Sequence, residues 1–261
     1  MKISIITICF NSEKDIRPTI ESVLNQTCPN IEYIIKDGGS KDATVAIANE
    51  YKKQFENISG RTFKIISCKD KGIYDAINQG IEASTGDVVG LIHAGDRLYD
   101  NEAIRKIADF FDANADLDIS YGNSKIVDNE GKVVRVNKSP NYKRSLIRRG
   151  WFPSHQSIYA RREVFDRYGM YDTTVGWAAD YQWFIRLFYV QKLNVKLLDE
   201  FIVRFSTGGT STQSYKSRFT KAHREMMENC WRTNGVEPPK GIVYWQLFRK
   251  IKQLLLAKIG G

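Results

Sequence analysis

The sequence predicts an α/β protein, with a doubly wound, mostly parallel sheet and helices on both faces. Short runs rich in β-branched residues alternate, along the first half, with segments whose apolar residues recur every three or four positions. Such alternation is typical of parallel sheets, because the helix that joins two parallel strands packs on a face of the sheet. Polar, turn-forming residues follow the strands, and open α/β sheets bind their ligands at that edge.

The first half contains all the segments that suggest this pattern. Residues 2–11 form a nearly continuous β-branched run, which predicts the first strand. The other predicted strands are residues 31–36, 63–67 and 86–96, of which the last is an apolar run flanked by glycines. Apolar stripes of helical spacing predict helices over residues 15–25, 42–54, 73–83 and 101–114.

The pattern changes in the second half of the chain. A turn of sequence Asp-Asn-Glu-Gly between two short apolar runs predicts a hairpin over residues 124–136. A loop rich in Lys and Arg follows at residues 138–149, and helices are predicted around 162–168 and 176–187. We expect this half to receive the second of two substrates.

Positive charge is concentrated at the end of the chain. The net charge is +9, and residues 206–261 hold ten Lys/Arg against three Asp/Glu, a balance of +7, so that +2 remains for residues 1–205. A basic surface can bind nucleic acid, anionic lipid or phosphorylated substrates, and charge alone does not choose among them. The predicted domains are a large α/β domain at 1–205, with two halves at 1–117 and 118–205, and a basic helical extension at 206–261.

The extension is expected to end in a basic amphipathic helix. Over residues 242–259 the apolar side chains share one helical face, the Lys, Arg and Gln side chains share the other, and Trp245 lies at the flank. Such a helix can lie on an anionic membrane surface. It can equally pack on its own domain, and both interpretations stay open.

The cysteines and the apolar runs of the sequence indicate where in the cell the protein is expected. The four cysteines are scattered without a C-x-x-C pair, which argues against a structural zinc site and a secreted disulfide framework. No basic-then-apolar leader opens the sequence, and no apolar run approaches the ~20 residues that span a bilayer. We therefore expect a cytoplasmic protein, with peripheral attachment to the inner face of the plasma membrane as an open option.

Four segments together carry a family resemblance. They are the first strand, the Asp37-Gly38-Gly39-Ser40-Lys41-Asp42 turn, the stretch from Asp70 to Gly80, and the run from Gly86 to Asp96. In this order and spacing they resemble family 2 glycosyltransferases with the GT-A fold, in particular bacterial enzymes that assemble capsule, O-antigen or exopolysaccharide units. The resemblance covers roughly residues 1–210. It implies that 1–205 is the catalytic domain, with a donor half at 1–117 that binds the nucleotide sugar and an acceptor half at 118–205.

Asp96 is the candidate for a metal-binding carboxylate. It follows the fourth strand, where a nucleotide diphosphate and its metal would lie, although a cap on the next segment is an alternative role. Mg²⁺ or Mn²⁺ needs only one or two protein carboxylates, because phosphate oxygens and water complete its shell. Many relatives have a second aspartate nearby, whereas this chain has His93 and Ala94. His93 is either a structural residue or a further ligand.

The resemblance implies the remaining donor-binding residues. Asp37 would hydrogen-bond the nucleotide base or ribose, although an aspartate before two glycines also suits a turn. Asp70 and the backbone of Lys71 and Gly72 would lie along the nucleotide, and Thr7 is placed with them. We expect Tyr74 and Asn78 to be structural.

Asp180 is the candidate general base. An inverting transfer needs one group to take the proton of the acceptor hydroxyl as that hydroxyl attacks the anomeric carbon. Asp180 occupies the family position that usually has two acidic residues, although Ala179 replaces the first, and a helix N-cap is the alternative role. His155 and Gln156 would line the acceptor side, where Trp177 offers a flat face to a sugar ring.

Together these residues predict an inverting glycosyltransferase. The expected partners are a nucleotide sugar, taken as a uridine diphosphate sugar, and a glycan acceptor linked to polyprenyl diphosphate, with no nucleic acid. The alternatives are a sugar nucleotidyltransferase, which needs a glycine-rich loop that residues 1–12 lack, and a non-catalytic basic module that binds membrane or nucleic acid. A Rossmann dehydrogenase is excluded, because no G-x-G-x-x-G follows the first strand. The donor sugar, linkage and oligomeric state are not predicted.

Overall fold

A computed structural model describes residues 1–128, 130–207 and 221–241. The strands in these ranges are β1 (Ile3–Cys9), β2 (Ile31–Asp37), β3 (Thr62–Ser67), β4 (Val88–Leu91), β5 (Arg97–Leu98), β6 (Ile119–Val127), β7 (Val133–Asn137), β8 (Ile158–Arg161) and β9 (Val195–Ser206). They form one mixed sheet in the order β3-β2-β1-β4-β8-β6-β9-β5, and β7 pairs with β6 off this path.

The first half of the sheet is parallel, as the sequence predicts. β1 pairs in parallel with both β2 and β4, and β2 pairs in parallel with β3. Every residue of β1 and of β2 is buried, so neither strand alternates between an apolar and a polar face, and the charged residues Glu32, Lys36 and Asp37 of β2 are buried with the rest. The predicted strand 86–96 is shorter than expected, because only Val88–Leu91 pairs as β4 before the chain turns.

The second half of the sheet mixes directions. β8 runs antiparallel to both β4 and β6, whereas β9 runs parallel to β6 and antiparallel to β5. The predicted hairpin is present as β6 and β7. β8 and β9 were not among the predicted strands, and β9 brings the chain back to the loop that follows β4.

Helices cover both faces of the sheet, which confirms the expected α/β class. One face packs against α1 (Ile16–Leu24), α2 (Thr44–Glu50), α3 (Lys52–Glu56) and α5 (Ala103–Asp112). The other packs against α4 (Ile73–Glu82), α7 (Arg162–Tyr168), α8 (Ala179–Phe184) and α9 (Lys221–Arg232). A short helix, α6 (Arg144–Arg148), lies within the predicted Lys- and Arg-rich loop. It buries Ile147 in the core on the face that packs against α4, α7, α8 and α9.

Two predicted helices are interrupted. The helix expected over 42–54 is divided at Tyr51 into α2 and α3. The helix expected over 176–187 has three parts: a 3₁₀ turn (Thr173–Ala178), α8, and a π-helical turn (Ile185–Val190). Asp180 lies in the first turn of α8, where the sequence places it.

The described part of the C-terminal extension packs on the acceptor half. Met227, Cys230 and Trp231 of α9 are buried in the same core as α8. The Trp231 Nε1–H donates to Tyr181 Oη at 2.8 Å, which fixes α9 to α8. The boundary at 205 stays a prediction, and so does the amphipathic helix at 242–259, which lies outside the described residues. Within the described residues, no helix has the length and hydropathy to cross a membrane.

Candidate active site

The Asp37 carboxylate is engaged by its own turn. It is fully buried at the end of β2, where Oδ2 accepts hydrogen bonds from the backbone N–H of Gly39 and of Ser40, each at 3.0 Å, and from Ser67 Oγ at 2.7 Å. The Ser40 hydroxyl donates to Oδ1. Burial raises the pKa of the Asp37 carboxyl, but the hydrogen bonds from Ser40 and Ser67 outweigh it, and the net pKa is lowered. Asp37 therefore holds the turn as an anion, and base or ribose binding stays a prediction.

Asp70 is bound to a buried lysine. The Lys36 side chain has no exposed surface, and its Nζ lies 3.2 Å from Asp70 Oδ2. Lys36 Nζ also donates to the carbonyl oxygens of Asp37 and Cys68, each at 2.8 Å. Asp70 Oδ1 accepts a hydrogen bond from the backbone N–H of Gly72 at 3.0 Å. Gly72 is the residue that directly precedes α4. One ammonium thus joins the ends of β2 and β3 to the loop predicted to follow the nucleotide.

Glycines bring this loop close to the end of β1. A Cβ on Gly38 would lie 2.8 Å from Asp70 Oδ2 and 3.2 Å from Phe10 Cδ2, so a larger residue would displace the Asp70 carboxylate or the Phe10 ring. Gly72 has a φ of 124°, a conformation that L residues rarely adopt. The Phe10 ring is 61% exposed beside them. Phe10 was not predicted as a site residue, although an aromatic side chain directly after a strand at the ligand-binding edge was an available signal.

Asp96 is a half-buried carboxylate in the loop that follows β4. Its Oδ1 accepts from the backbone N–H of Ser206, the last residue of β9, at 3.0 Å. Burial raises the pKa of the Asp96 carboxyl to about 6, against the lowering effect of bonds to Ser206 and the Gln156 side chain. Among the described residues, no Lys or Arg forms an ion pair with it.

That unbalanced charge fits a divalent cation. Asp96 alone would supply the protein carboxylate, which suffices for Mg²⁺ or Mn²⁺ when diphosphate oxygens and water take the other positions. No group of three or more His, Cys, Asp or Glu in the described ranges could form a metal site made of protein ligands alone. A bound cation would offset the charge of the diphosphate.

The predicted acceptor residues form a hydrogen-bonded cluster. His155 Nε2 lies 2.8 Å from Tyr171 Oη, and the His93 and His155 rings are 6.1 Å apart. Burial lowers the pKa of His93 to about 3 and that of His155 to about 4, so both imidazoles are neutral at physiological pH. Gln156 accepts from the His93 backbone N–H at 3.4 Å and also contacts Asp96, which links this cluster to the candidate metal site.

Asp180 lies where the two halves of the domain meet. Its electrostatic effect contributes, after burial, to the raised pKa of both Tyr74 and Tyr171, so the three side chains are neighbours. Tyr74, on α4 of the donor half, donates to the Trp177 carbonyl oxygen at 3.0 Å. The Asn78 side chain makes two further bonds to the Tyr171 backbone. Tyr74 and Asn78 are therefore structural, as expected, and they join α4 to the acceptor half.

Trp177 is held with one face open. Its indole is 60% exposed and stacks on His223 of α9, with ring centroids 5.2 Å apart and an interplanar angle of 15°. Gly176, with a φ of 67°, makes the kink that precedes it. α9 was not foreseen as part of the site, because an amphipathic pattern does not say which face of a domain a helix covers.

The structure brings most predicted residues to one edge of the sheet. Asp37 ends β2, Asp70 follows β3 and Asp96 follows β4, and these strands lie side by side with β1 in the order β3-β2-β1-β4. The Lys71 backbone N–H is bonded to Asp75 Oδ2 at 2.9 Å. Thr7 is the exception: its side chain is fully buried and shares a 2.9 Å hydrogen bond with Tyr33 Oη, so the structure does not place it with the others.

The family comparison identifies the class of protein to which this α/β fold belongs. A model of glycosyl transferase family 2 matches residues 4–170. The chain belongs to this family. It is 28% identical, over 219 residues, to the "PGL/p-HBAD biosynthesis glycosyltransferase" of Mycobacterium tuberculosis; the match covers 84% of this chain and 82% of that protein.

Solved structures share the GT-A fold. The S. aureus TarS 1–349 structure in complex with UDP-GlcNAc aligns with a TM-score of 0.69 at 19% identity, over 89% of this chain and 66% of that one. The mannosyltransferase PcManGT from Pyrobaculum calidifontis, in complex with GDP-Man and Mn²⁺, aligns with a TM-score of 0.66 at 14% identity, over 100% of this chain and 76% of that one. At these identities the likeness concerns the fold alone.

Proposed function

We propose that this glycosyltransferase moves a sugar from a uridine diphosphate donor to a glycan hydroxyl, with inversion at the anomeric carbon and Asp180 as the base. The position of Asp180 carries the proposal. It lies beside the exposed Trp177, while Tyr74 of the donor half faces it from α4. An acceptor hydroxyl between Trp177 and the donor would therefore lie next to this carboxylate.

The reaction needs one proton transfer and one displacement. The Asp180 carboxylate accepts the proton of the acceptor hydroxyl as its oxygen bonds to the anomeric carbon. The bond to the diphosphate breaks on the opposite side of the sugar, and the bonding electrons leave with the uridine diphosphate. Because attack and departure occur on opposite faces, the configuration inverts.

Donor binding is assigned to the edge formed by β1, β2 and β4. Asp96 would hold the divalent cation that neutralises the leaving diphosphate. The exposed ring of Phe10 offers a stacking surface for the base, next to the turn that Asp37 holds. The ion pair of Lys36 and Asp70 would fix the loop of Lys71 and Gly72 along the nucleotide.

The acceptor is proposed to be a glycan linked to polyprenyl diphosphate, in the assembly of a surface polysaccharide or glycolipid. Trp177 would stack on its sugar, and the cluster of His155, Tyr171 and Gln156 would border it. Residues 242–259 would hold the protein at an anionic membrane surface, where such an acceptor resides.

A donor panel tests the proposed substrate class. The intact protein is heated with uridine, guanosine and thymidine diphosphate sugars, each with and without Mn²⁺. A ligand at 100 times its dissociation constant stabilises the fold by about 2.7 kcal/mol. We expect a uridine diphosphate sugar to raise the melting temperature, and Mn²⁺ to increase that rise in the wild type but not in Asp96→Asn. A rise with guanosine or thymidine donors alone would contradict the assignment.

A further inference from the structure

The longest stretch of uniform charge lies in the acceptor half. Between Glu130 and Glu163 the chain has no acidic residue, and it contains nine basic ones. They are Lys132, Arg135, Lys138, Lys143, Arg144, Arg148, Arg149, Arg161 and Arg162. The proposed reaction uses none of them.

Two of these side chains, Arg161 and Arg162, are bonded to other parts of the domain. Arg161 donates to the carbonyl oxygens of Leu117 and Ala115, at 2.7 and 3.0 Å. Arg162 donates to the Ser84 carbonyl and lies 3.6 Å from Asp166. Five others are exposed on and around α6, and we call these the α6 basic patch: Lys138, Lys143, Arg144, Arg148 and Arg149.

Aromatic rings, rather than carboxylates, position the arginines of the patch. The Arg144 guanidinium lies 4.0 Å from the centre of the Tyr189 ring, and its Nε–H donates to the Tyr189 carbonyl at 2.9 Å. Arg148 lies 5.9 Å from both the Tyr189 and Trp231 rings and donates to Tyr189 Oη at 3.2 Å. In the described ranges no carboxylate pairs with Arg144 or Arg148 within 4.0 Å. Their charge is therefore held in place without being neutralised.

The rings that support the patch lie in the acceptor half and on α9 of the C-terminal extension. Tyr189 lies in the π-helical turn that continues α8, nine residues after Asp180, so the two are roughly 13 Å apart along the helix. Trp231 of α9 is fully buried and meets Tyr189 edge to face, with ring centroids 5.1 Å apart. The patch is thus fixed relative to the cleft, at the corner where α9 meets the helix that begins with Asp180.

We propose that the α6 basic patch binds the headgroups of an anionic phospholipid bilayer. Arginine guanidinium groups bind phosphate oxygens in a two-pronged geometry, and preorganised ones lose less freedom on binding. Trp231 is fully buried, and the half-buried Tyr189 ring is covered by Arg144 and Arg148, so neither supporting ring is free to stack on the bases of a single-stranded nucleic acid. This attachment is independent of the proposed reaction, and it involves residues other than 242–259.

Vesicle flotation of the full chain tests the patch. The vesicles contain phosphatidylcholine with or without phosphatidylglycerol, at low and high salt. The Arg144→Glu/Arg148→Glu variant is compared with Lys53→Glu/Lys64→Glu, which makes the same charge change on α3 and β3, at the other edge of the sheet. We expect the first variant to lower binding to the anionic vesicles about tenfold or more. The second should change it much less.

Two further measurements keep the result decisive. Arg144→Lys/Arg148→Lys retains the charge but loses the two-pronged guanidinium geometry, so it should bind the anionic vesicles more weakly than the wild type and more strongly than the Arg144→Glu/Arg148→Glu variant. The melting temperature of each variant shows that it is folded. Equal losses in both Glu variants would mean that only net charge matters and would overturn the proposal. So would wild-type flotation without anionic lipid, no flotation of the wild type, or binding to single-stranded RNA that requires the patch while vesicle binding does not.

Discussion

The backbone N–H of Ser206 donates to Asp96 Oδ1 at 3.0 Å, which ties the end of β9 to the loop after β4. A second bond reinforces this contact, since the Ser206 hydroxyl donates to the Gly95 carbonyl at 2.5 Å. The candidate metal ligand therefore depends on a strand from the acceptor half, 110 residues further along the chain. Under the proposed function, this contact would couple donor binding to the half that receives the acceptor.

Replacement of Asp96 should remove metal-supported nucleotide binding. In Asp96→Asn the charge that would hold the cation is lost, so the gain in affinity for uridine diphosphate on adding Mn²⁺ should fall by about tenfold or more. Calorimetry with and without Mn²⁺ measures this gain. The exposed Asp109→Asn serves as the matched control and should behave as the wild type. An undiminished effect of Mn²⁺ in Asp96→Asn would remove this residue from the metal site.

Replacement of Asp180 should separate binding from chemistry. The amide in Asp180→Asn cannot accept the acceptor proton, so turnover should fall by roughly 10² or more, the usual scale for the loss of a general base. Donor affinity should stay near that of the wild type, because Asp180 faces the acceptor. Steady-state rates and donor titrations on the same sample check both. Unchanged turnover contradicts the role of base, and a collapse of donor affinity indicates a structural role.

The pKa of His155 predicts a loss of stability in acid. The pKa is lowered to about 4 in the folded protein by burial, whereas an exposed imidazole titrates near 6.5. Between these values the unfolded chain binds more protons, so stability falls as the pH decreases from 6.5 toward 4, by up to about 3 kcal/mol. Denaturation of His155→Gln over this range should show a shallower decline than the wild type. Parallel declines would mean that His155 titrates normally when folded.

The pair of Lys36 and Asp70 should matter more than an exposed pair. Asp70→Asn leaves an ammonium without exposed surface and without its counter-charge, which should destabilise the fold by about 3 kcal/mol. Glu50→Gln breaks the exposed pair with Arg17, whose side chain is 45% exposed, and should cost under about 1 kcal/mol. Chemical denaturation at pH 7 compares them. A similar loss of unfolding free energy in both variants would show that burial does not make the Lys36–Asp70 pair more important than the exposed one.

The sequence predicted what local chemistry determines. A nearly continuous β-branched run identified β1, and a mostly apolar segment identified β2, because a strand buried on both faces has no side that faces solvent. The turn after Asp37 was also foreseen as an alternative to nucleotide binding, and the structure shows a carboxylate that bonds its own backbone. The Asp37 carboxylate and the backbone groups that it bonds lie within four consecutive residues, so a short stretch of sequence suffices to predict this turn.

Long-range pairing escaped prediction for a physical reason. β9 is a 12-residue strand with an uneven pattern of burial, so its sequence shows neither a regular alternation nor a continuous apolar run. The Asp96 carboxylate is held by hydrogen bonds with Ser206 and Gln156, which are both distant from it in sequence. The stack of Trp177 on His223 likewise joins residues from two separate elements. Such contacts depend on packing that no local segment encodes.

The configuration of the released sugar tests the account most directly. Many transferases slowly pass their donor sugar to water, so wild type and Asp180→Asn are incubated with the uridine diphosphate α-sugar selected by the donor panel, and proton NMR follows the first sugar to appear. Inversion with Asp180 as the base predicts that the wild type releases the β-anomer first and that Asp180→Asn releases it roughly 10² times more slowly. Release of the α-anomer first, or equal rates from the two proteins, would contradict the proposed mechanism.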